Sequence, residues 1–457
     1  MKFENGRVSD IQIAYIGGGS RGWAWILMTD LAREEALSGT VRLYDIDGEA
    51  AKANALIGNR LKAREDAVGK WDYVVKDTLK EALTGADFVI ISVLPKTFDE
   101  METDVHMPER LGIYQSVGDT AGPGGIIRAM RTIPMFLEFA EGIKQYCPKA
   151  WVINYTNPMA LCVKALYHAF PEIKAFGCCH EVFGTQDMLV NMVKEELGDE
   201  TAGRKDIQVN VLGINHFTWF DRASYKGIDL FPVYSAYVNK FFGEGVSQKE
   251  KVWANTAFGT KHRVKMDLFN HYGLIAAAGD RHLAEFMPGD IYLKNPETVA
   301  SWNFGLTSVA WRKDDLKERM VRSAKLVSGE EQLELKPSGE EGVDQIKALC
   351  GLGRLVTNVN VPNTGRQISN LPESAVVETN AVFEKDAIRP VQAGAVPENV
   401  RELLMPHVEN QERVMQAALT VDHALVAEAF LADPQVKGRI SKEEVRALVE
   451  DMLAATL

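Results

Sequence analysis

The sequence predicts an α/β protein in which a Rossmann-type, doubly wound sheet is followed by an α+β C-terminal domain. Over residues 11–95, apolar runs alternate with segments of helical spacing. Glycines follow the first apolar run in the pattern G-x-G-x-x-G. Beyond residue 225 the pattern changes to long helical stretches joined by loops. Strands that alternate with helices are typical of a parallel sheet covered on both faces.

Each segment of the N-terminal pattern fits one element. IQIAYIGGG is a strand that ends in glycines, and WAWILMTDLAREEAL has helical spacing. GTVRLYDID is a second strand, EAAKANALIGNRLKARE a second helix, and GADFVIISVLP a third strand. AWVINYTNP, IKAFGCCHE and IQVNVLGINHFTWF fit further strands that end in polar residues. Residues 351–383 predict strands that return to the sheet, and the tail is helical. We place the domain boundary between 1–205 and 206–457.

Composition restricts the class of partner. The chain has 457 residues, is 46% apolar and 25% charged, and carries a net charge of −12. An acidic surface disfavours nucleic acid and anionic membranes. No run reaches the roughly 18 apolar residues of a membrane span, and the N-terminus has no secretory pattern. The five cysteines are sparse and odd in number, so we expect reduced thiols and a cytoplasmic location.

The glycine pattern predicts a dinucleotide site. Gly17, Gly19 and Gly22 stand between a strand and a helix, where backbone N–H groups and the helix N-terminus can approach a pyrophosphate. Asp45 ends the second strand, where an acid can accept hydrogen bonds from ribose hydroxyls and would repel a 2′-phosphate. NAD is therefore favoured over NADP. The predicted cofactor-binding residues are Gly17, Gly19, Ser20, Arg21, Gly22 and Asp45.

Polar residues at three predicted strand ends suggest a metal site. Asn157, Cys179 with His180, and His216 each close an apolar run. In a parallel sheet such ends line the ligand crevice. A thiolate and an imidazole, Cys179 and His216, suit zinc, manganese, iron or cobalt, and two ligands leave positions open for substrate. A buried thiol and a core histidine are the alternative, and the sequence alone leaves both open.

Two other polar stretches are candidate acid–base or substrate sites. In GDRHLAEF, Asp280 could act as a base beside the cations Arg281 and His282, or could simply cap a helix. In GDTAGPGG, glycines permit close approach to a ligand near Asp119. A lactate- or malate-type dehydrogenase is the competing interpretation at this level. The NPVD motif that is usual in those dehydrogenases is replaced by NPMA at 157–160, so the acid that orients the histidine is missing.

Taken together, the motifs resemble glycoside hydrolase family 4. They are IGGGSRGW, VGDTAGPGG, INYTNPMA, CCHEVFGT, GINHFTW and AAGDRHLAEF, and NTGRQISNLPESAVVE extends the likeness towards the C-terminus. The CHEV tetrapeptide is similar to that of the α-uronidase branch, and of the bacterial α-galacturonidases in particular. The resemblance implies a lactate/malate dehydrogenase-like fold, with an NAD-binding domain over 1–205 and a substrate and oligomerisation domain over 206–457.

The same resemblance implies an unusual hydrolysis, which departs from the usual pair of carboxylates. NAD takes a hydride from carbon 3 of the sugar, a base removes the proton on carbon 2, and the aglycone leaves by elimination. Water then adds and the hydride returns, so no net oxidation occurs. Manganese is the metal that the family implies.

Residue roles follow from the same likeness. Asp280 matches the base position, Asn157 the asparagine that touches the sugar, and Cys179 and His216 the metal ligands. His180 matches the position of a leaving-group acid. Asp119 is expected to bind substrate, and a uronate carboxylate needs a cation, for which Arg281 and His282 are the candidates. Glu181 should point away or pair with a cation.

The expected substrate is an α-D-galacturonide. The residues do not separate it from an α-glucuronide, which differs only at carbon 4. A net dehydrogenase of a sugar or 2-hydroxy acid is the alternative from another class. An NAD-sensing regulator would leave the cysteine and histidine pair without a role. Assembly as a homodimer or homotetramer is implied by the resemblance alone.

Overall fold

A computed structural model describes residues 1–246 and 259–457. The strands, in chain order, are β1 (Lys2–Glu4), β2 (Arg7–Ile16), β3 (Leu37–Tyr44), β4 (Lys70–Val75), β5 (Phe88–Ile91), β6 (Trp151–Asn154), β7 (Lys174–Gly177), β8 (Ile207–Ile214), β9 (Phe217–Tyr225), β10 (Ile228–Asp229), β11 (Ile275–Ala276), β12 (Leu355–Pro362), β13 (Val376–Glu384) and β14 (Ala387–Pro390).

Helices fill most of the remaining chain. In order they are α1 (Trp23–Ala32), α2 (Gly48–Lys62), α3 (Leu79–Leu83), α4 (Phe98–His106), α5 (Gly122–Tyr146), α6 (Met159–Ala169), α7 (Glu181–Leu197), α8 (Leu230–Phe241), α9 (Arg263–Tyr272), α10 (Asp280–Phe286), α11 (Pro296–Ser301), α12 (Val309–Ser328), α13 (Gly342–Leu349), α14 (Glu398–Thr420), α15 (His423–Ala432) and α16 (Lys442–Thr456). Within the described ranges, none is both long and apolar enough to cross a membrane.

The larger sheet has ten strands and contains the predicted Rossmann arrangement. Its parallel part runs β4-β3-β2-β5-β6-β7, which is the Rossmann order 3-2-1-4-5-6. The strands β12, β13 and β14 add to β7 in antiparallel fashion. The prediction that residues 351–383 return to this sheet is therefore confirmed. The division at 205 stays a prediction, since strands from the second segment complete the first sheet.

Alternating side chains explain why this sheet is covered on both faces. Along β2, Ile13 and Tyr15 pack with α1, α2 and α13, whereas Ala14 and Ile16 pack with α5 and α6. The C-terminal helices α14, α15 and α16 join the second of these faces through residues such as Phe430. The end of the chain thus belongs to the core of the nucleotide-binding part.

The second sheet is antiparallel and has four strands, β8 to β11. The sequence pattern predicted one strand over 207–220, but the structure forms a hairpin there. Ile214 pairs with Phe217, so Asn215 and His216 make a two-residue connection between β8 and β9. His216 has a φ of 64°, a left-handed conformation that turns of this kind require. The turn places the imidazole at the end of the hairpin.

His407 of α14 joins the two parts of the core and generates a test of pH-dependent stability. Its Nε2 donates to the carbonyl of Phe286 at 2.8 Å, and its ring lies 4.7 Å from that phenyl ring. Burial lowers the pKa of His407 to about 4 from 6.5. The unfolded chain therefore binds a proton between pH 6.5 and 4 that the folded protein does not, and stability falls as the pH drops through this range.

We expect wild type to lose about 2 kcal/mol more stability than His407→Gln between pH 8 and pH 5. Glutamine cannot gain a proton but can still donate to the Phe286 carbonyl. Denaturant or thermal unfolding at both pH values measures the difference. His168→Gln is the control, because His168 is exposed. Equal pH dependence of wild type and His407→Gln would contradict the assignment.

Candidate functional site

The loop after β2 has the shape that the glycine pattern predicts. Gly17 has a φ of 94°, and a Cβ atom there would lie 2.0 Å from the carbonyl oxygen of Ser92. No side chain fits this position, so the loop passes directly over the end of β5. Gly22 precedes the first residue of α1, which leaves the helix N-terminus facing the loop.

Side chains that follow β3 or lie in α2 fix the remainder of the loop. Asp45 Oδ2 accepts a hydrogen bond from the backbone N–H of Gly19 at 2.8 Å. Asn54, which is fully buried, donates to the carbonyls of Gly18 and Ser20 at 2.8 and 3.0 Å. Arg21 lies 3.5 Å from Asp47. The glycine loop is therefore held by hydrogen bonds with the side chains of Asp45 and Asn54.

A group of metal-ligand side chains lies at the same edge of the sheet. Asp119, His216 and His282 each offer a ligand atom, and these atoms lie within 4.8 Å of one another. The rings of His216 and His282 have centroids 3.7 Å apart. The sequence marked all three residues, but as one metal ligand and two substrate contacts. The structure brings them together in one group.

Thr120 fixes the orientation of His216. Its hydroxyl donates to Asp119 Oδ1 at 2.7 Å and lies 3.0 Å from His216 Nδ1. Because the hydroxyl proton is directed at the carboxylate, the hydroxyl oxygen accepts from Nδ1–H of the imidazole. The lone pair of His216 is then on Nε2, which is the arrangement of a metal-ligating histidine with a hydrogen-bonded second nitrogen.

Several buried polar atoms around this group lack a partner among the residues that the structure describes. They are Nδ1 of His282, Oδ1 of Asn157 and Oδ1 of Asn215. Unpaired buried polar atoms are costly unless a ligand or ion satisfies them. Imidazole nitrogens with carboxylate and amide oxygens are donors that manganese and similar divalent ions accept. The residues present therefore fit a divalent metal.

Burial sets the protonation states that such a site needs. Burial lowers the pKa of His216 to about 3 and lowers that of His282, so both rings are neutral at pH 7. Burial alone would raise the pKa of Asp119, but His282, His216 and Arg128 hold it below its ordinary value. Neutral imidazoles and an ionised carboxylate are the ligating forms.

Cys179 lies outside the group of three, beside the turn that carries His216. Its side chain packs against Met159 and Val376, and the Asn215 side chain is its hydrogen-bond partner. Burial, with Glu378 and Glu181 nearby, raises the pKa of the thiol well above its ordinary value. Cys178 packs in a different cluster, on the other side of the strand end. All five cysteines are free and buried.

Glu181 faces the metal-ligand group and does not point away. Its Oε2 accepts from the backbone N–H of Gly279 at 2.6 Å, and its Oε1 lies 3.7 Å from Nε2 of His282. Burial opposes ionisation, but His282, His216 and His180 with the Gly279 N–H lower the pKa of Glu181 to about 2. Glu181 thus lies within ion-pair distance of His282 but beyond hydrogen-bond distance.

Asp280 begins α10 but does not cap it, since Gly279 is the N-cap residue. The fully buried carboxylate accepts from Thr260 Oγ1 at 2.7 Å and from the backbone N–H groups of Val264 and Lys265 at 3.3 and 3.1 Å. It therefore caps the first turn of α9 instead. Burial raises the pKa of Asp280 above its ordinary value.

His180 and Asn157 have different neighbours in the site. His180 precedes α7, is 35% exposed and lies 3.5 Å from Glu340. Its ring is 6.0 Å from that of Trp23, which follows the glycine loop. Asn157 Nδ2 donates to Asp119 Oδ2 at 3.3 Å.

Arg281 is buried against the protein. Its Nη2 donates to the Ser116 carbonyl at 2.6 Å and to the Thr307 hydroxyl. Burial and the neighbouring Arg312 lower the pKa of Arg281 to about 10. Of the predicted carboxylate-binding pair, Arg281 therefore lies behind the site and His282 within it.

Short contacts connect the glycine loop to the metal-ligand group. Gly17 touches Ser92. The backbone N–H of Val93, the residue after Ser92, donates to Thr156 Oγ1 at 3.0 Å. The residue after Thr156 is Asn157, which contacts Asp119. A dinucleotide and a metal-bound ligand would be neighbours at this edge of the sheet.

The sequence indicated no role for Thr120 or Arg312, because both occur in ordinary polar surroundings.

Comparison with known proteins agrees with this geometry. The family 4 glycosyl hydrolase model matches residues 12–195, and the model of its C-terminal domain matches residues 211–436. An alpha-galacturonidase of Lachnoclostridium phytofermentans is 66% identical over 456 residues, which are 100% of this chain and 98% of the relative. An alpha-galacturonidase of Thermoanaerobacterium saccharolyticum is 60% identical over 457 residues, again 100% and 98%.

A solved structure shares the fold at lower identity. The 6-phospho-alpha-glucosidase from gut microorganisms, in complex with NAD and Mn²⁺, has a TM-score of 0.78 at 19% identity, with 97% of this chain and 98% of that chain covered. The predicted family and the mixed α/β fold are both confirmed. This chain belongs to the family 4 glycosyl hydrolases.

Proposed function

We propose that the protein is an NAD- and divalent-metal-dependent α-galacturonidase, with manganese as the expected ion. The observation that carries the proposal is the proximity of the Asp119, His216 and His282 group to the glycine loop at one edge of the sheet. The full-length relative at 66% identity, itself an alpha-galacturonidase, supports the choice of substrate. The related 6-phospho-alpha-glucosidase complex supports NAD and Mn²⁺ as cofactors.

The cofactor-binding residues are those of the glycine loop and Asp45. When bound, NAD supplies an acceptor for the hydride of sugar carbon 3 and returns that hydride at the end of the cycle. The Gly19 N–H holds Asp45 Oδ2 at 2.8 Å, and a fixed carboxylate beside the glycine loop supports the proposed role of Asp45 as an acceptor from ribose hydroxyls.

His216 and Cys179 are the proposed metal ligands, and Asp119 and His282 complete the donor set. When bound, the metal supplies a Lewis acid beside the hydroxyls of carbons 2 and 3. Thr120 holds the His216 imidazole in its ligating orientation, and Glu181 lies 3.7 Å from Nε2 of His282. The raised pKa of the Cys179 thiol means that ligation must be accompanied by loss of its proton.

Asp280 is the proposed base for the proton on carbon 2. Burial raises the pKa of Asp280 above its ordinary value, which makes the carboxylate a stronger proton acceptor. Three hydrogen bonds hold its carboxylate in one orientation. His180, which is partly exposed, is the proposed acid for the leaving group, and Asn157 and His282 are proposed contacts on the sugar side.

Location and assembly are also proposed here. The buried, unpaired cysteines support a reducing compartment, the cytoplasm. Assembly as a homodimer or homotetramer is proposed from family resemblance, and light scattering on the purified protein would decide between the two.

Four nitrophenyl α-glycosides, the galacturonide, glucuronide, galactoside and glucoside, test the activity with NAD and Mn²⁺ present. We expect nitrophenol release mainly from the galacturonide, without NADH accumulation at 340 nm, because the hydride returns in every cycle. In D₂O the released galacturonate should carry deuterium at carbon 2. A preference for the glucuronide would reassign the substrate, and NADH produced in proportion to substrate would indicate a dehydrogenase.

Asp280→Asn tests the base. We expect the rate of galacturonide cleavage to fall by about 10²- to 10⁴-fold, because amide nitrogen and oxygen do not accept the proton. Deuterium incorporation at carbon 2 should fall in parallel while NAD affinity is unchanged. Asp290→Asn, at an exposed aspartate in the following loop, is the matched control. Normal deuterium incorporation in Asp280→Asn would remove Asp280 from this role.

Thr120→Val tests the metal group. The change keeps the volume of the side chain but removes the hydroxyl that bridges Asp119 and His216. We expect Mn²⁺ affinity, measured by calorimetry or by electron paramagnetic resonance, to fall about 10- to 100-fold. Thr120→Ser should restore most of the affinity. Unchanged affinity in Thr120→Val would show that the metal lies elsewhere.

A further inference from the structure

Three arginines converge on Asp119 from different helices. Arg128 of α5 and Arg281 of α10 are only 6% and 8% exposed, and Arg312 of α12 is partly buried. The charge of Asp119 acts on all three guanidinium groups. The N-terminal end of α12 is held against the loop that carries Asp119, because the Thr307 N–H donates to the Ser116 carbonyl at 3.3 Å.

Carboxylates of the protein balance part of this positive charge. Glu285 is one of them, and its Oε1 accepts from the backbone N–H groups of Val117 and Gly118 at 2.7 and 2.9 Å. Asp104 also acts on Arg128, Glu181 on Arg281 and Asp315 on Arg312. Hydrogen bonding therefore decides which of the three arginines can take up an anion.

Two of the arginines already have protein partners. Arg128 Nε donates to the Asn157 carbonyl at 3.1 Å, and Arg281 Nη2 donates to Ser116 and Thr307. Arg312 differs from both. Its Nε is buried without a partner, and its side chain makes no hydrogen bond or ion pair with residues 1–246 and 259–457. Of the three guanidinium groups, that of Arg312 is the one with no hydrogen-bond or ion-pair partner among the described residues, so its N–H groups are available to a ligand.

The position of Arg312 along α12 identifies the end of the site that it serves. Arg319 lies seven residues further on, about 10 Å along the helix, and its Nη1 donates to the Arg21 carbonyl of the glycine loop at 3.2 Å. The helix therefore runs from the metal-ligand group to the dinucleotide loop. Arg312 is at the sugar end, and Arg319 is at the phosphate end.

We propose that Arg312 binds the substrate carboxylate directly, with Arg281 behind it as the second cation of the same pocket. The inference rests on the proposed function, since it assigns the anion as the carboxylate of a uronide. A planar guanidinium can donate two parallel hydrogen bonds to a carboxylate, which a neutral hydroxymethyl group cannot accept in the same way.

The test compares binding of D-galacturonate and of its methyl ester, which differ in charge at one group. Calorimetric titrations use the full-length protein with NAD and Mn²⁺. We expect Arg312→Ala to weaken galacturonate binding about 10- to 100-fold and to change ester binding little. Arg312→Lys should recover part of the lost affinity, because lysine restores the positive charge without the two parallel N–H groups of the guanidinium. Arg312→Gln serves as a second neutral variant of nearly the same length.

Two variants act as controls. Arg322→Ala removes an arginine that is 47% exposed further along α12 and paired with Glu331, and binding should be unchanged. Arg281→Ala should lose less discrimination between acid and ester than Arg312→Ala. NAD affinity, followed by fluorescence, should stay at its wild-type value in Arg312→Ala.

The proposal is overturned if Arg312→Ala weakens acid and ester equally, if only Arg281→Ala loses discrimination, or if the loss is in NAD affinity. It is also overturned if wild type does not prefer the acid. Failure of the proposed function has a different signature. Wild type that prefers galacturonate over its ester but does not cleave the nitrophenyl galacturonide would refute the hydrolase activity and leave the role of Arg312 intact.

Discussion

The site depends on the hydrogen bonds that hold the loop at residues 116–122. Glu285 Oε1 accepts from the backbone N–H groups of Val117 and Gly118, which would otherwise be buried without partners. From the C-terminal part of the chain, Asp433 Oδ2 accepts from the N–H of Gly122 at 3.1 Å. Asp119 owes its position to these distant contacts, and the metal-ligand group forms only when both halves of the chain are folded together.

The sequence predicted those features whose signals are local. A glycine pattern between a strand and a helix predicts the nucleotide loop, because only glycine fits Gly17 against the Ser92 carbonyl. Strand ends predicted that Asn157 and His216 would lie near each other. Both residues lie near Asp119, although β8, which precedes His216, belongs to the antiparallel sheet and not to the parallel one. A two-residue hairpin connection brings His216 there, a geometry that the apolar run did not reveal.

Features that depend on tertiary contacts were not visible in the sequence. Asp280 could be recognised as an acid before a helix, but the helix that it caps is α9 and not α10. Thr120 looks like any threonine in a loop until His216 approaches it. Arg312 occurs in the polar helix WRKDDLKERM, where a charged residue normally faces solvent. Glu181 is explained only by the position of His282 and Gly279.

The overall acidity of the protein and the cationic pocket act on different steps of binding. A net charge of −12 repels an anionic substrate at long range, and salt screens that repulsion beyond about 8 to 10 Å. Of the arginines around Asp119, Arg128 and Arg281 are buried and Arg312 is partly buried, so water and salt screen them less than surface charges. Repulsion therefore slows encounter, whereas the arginines determine how long the bound carboxylate stays. Selection for a uronide over a neutral sugar must arise inside the pocket, because the surface charge of the protein opposes it.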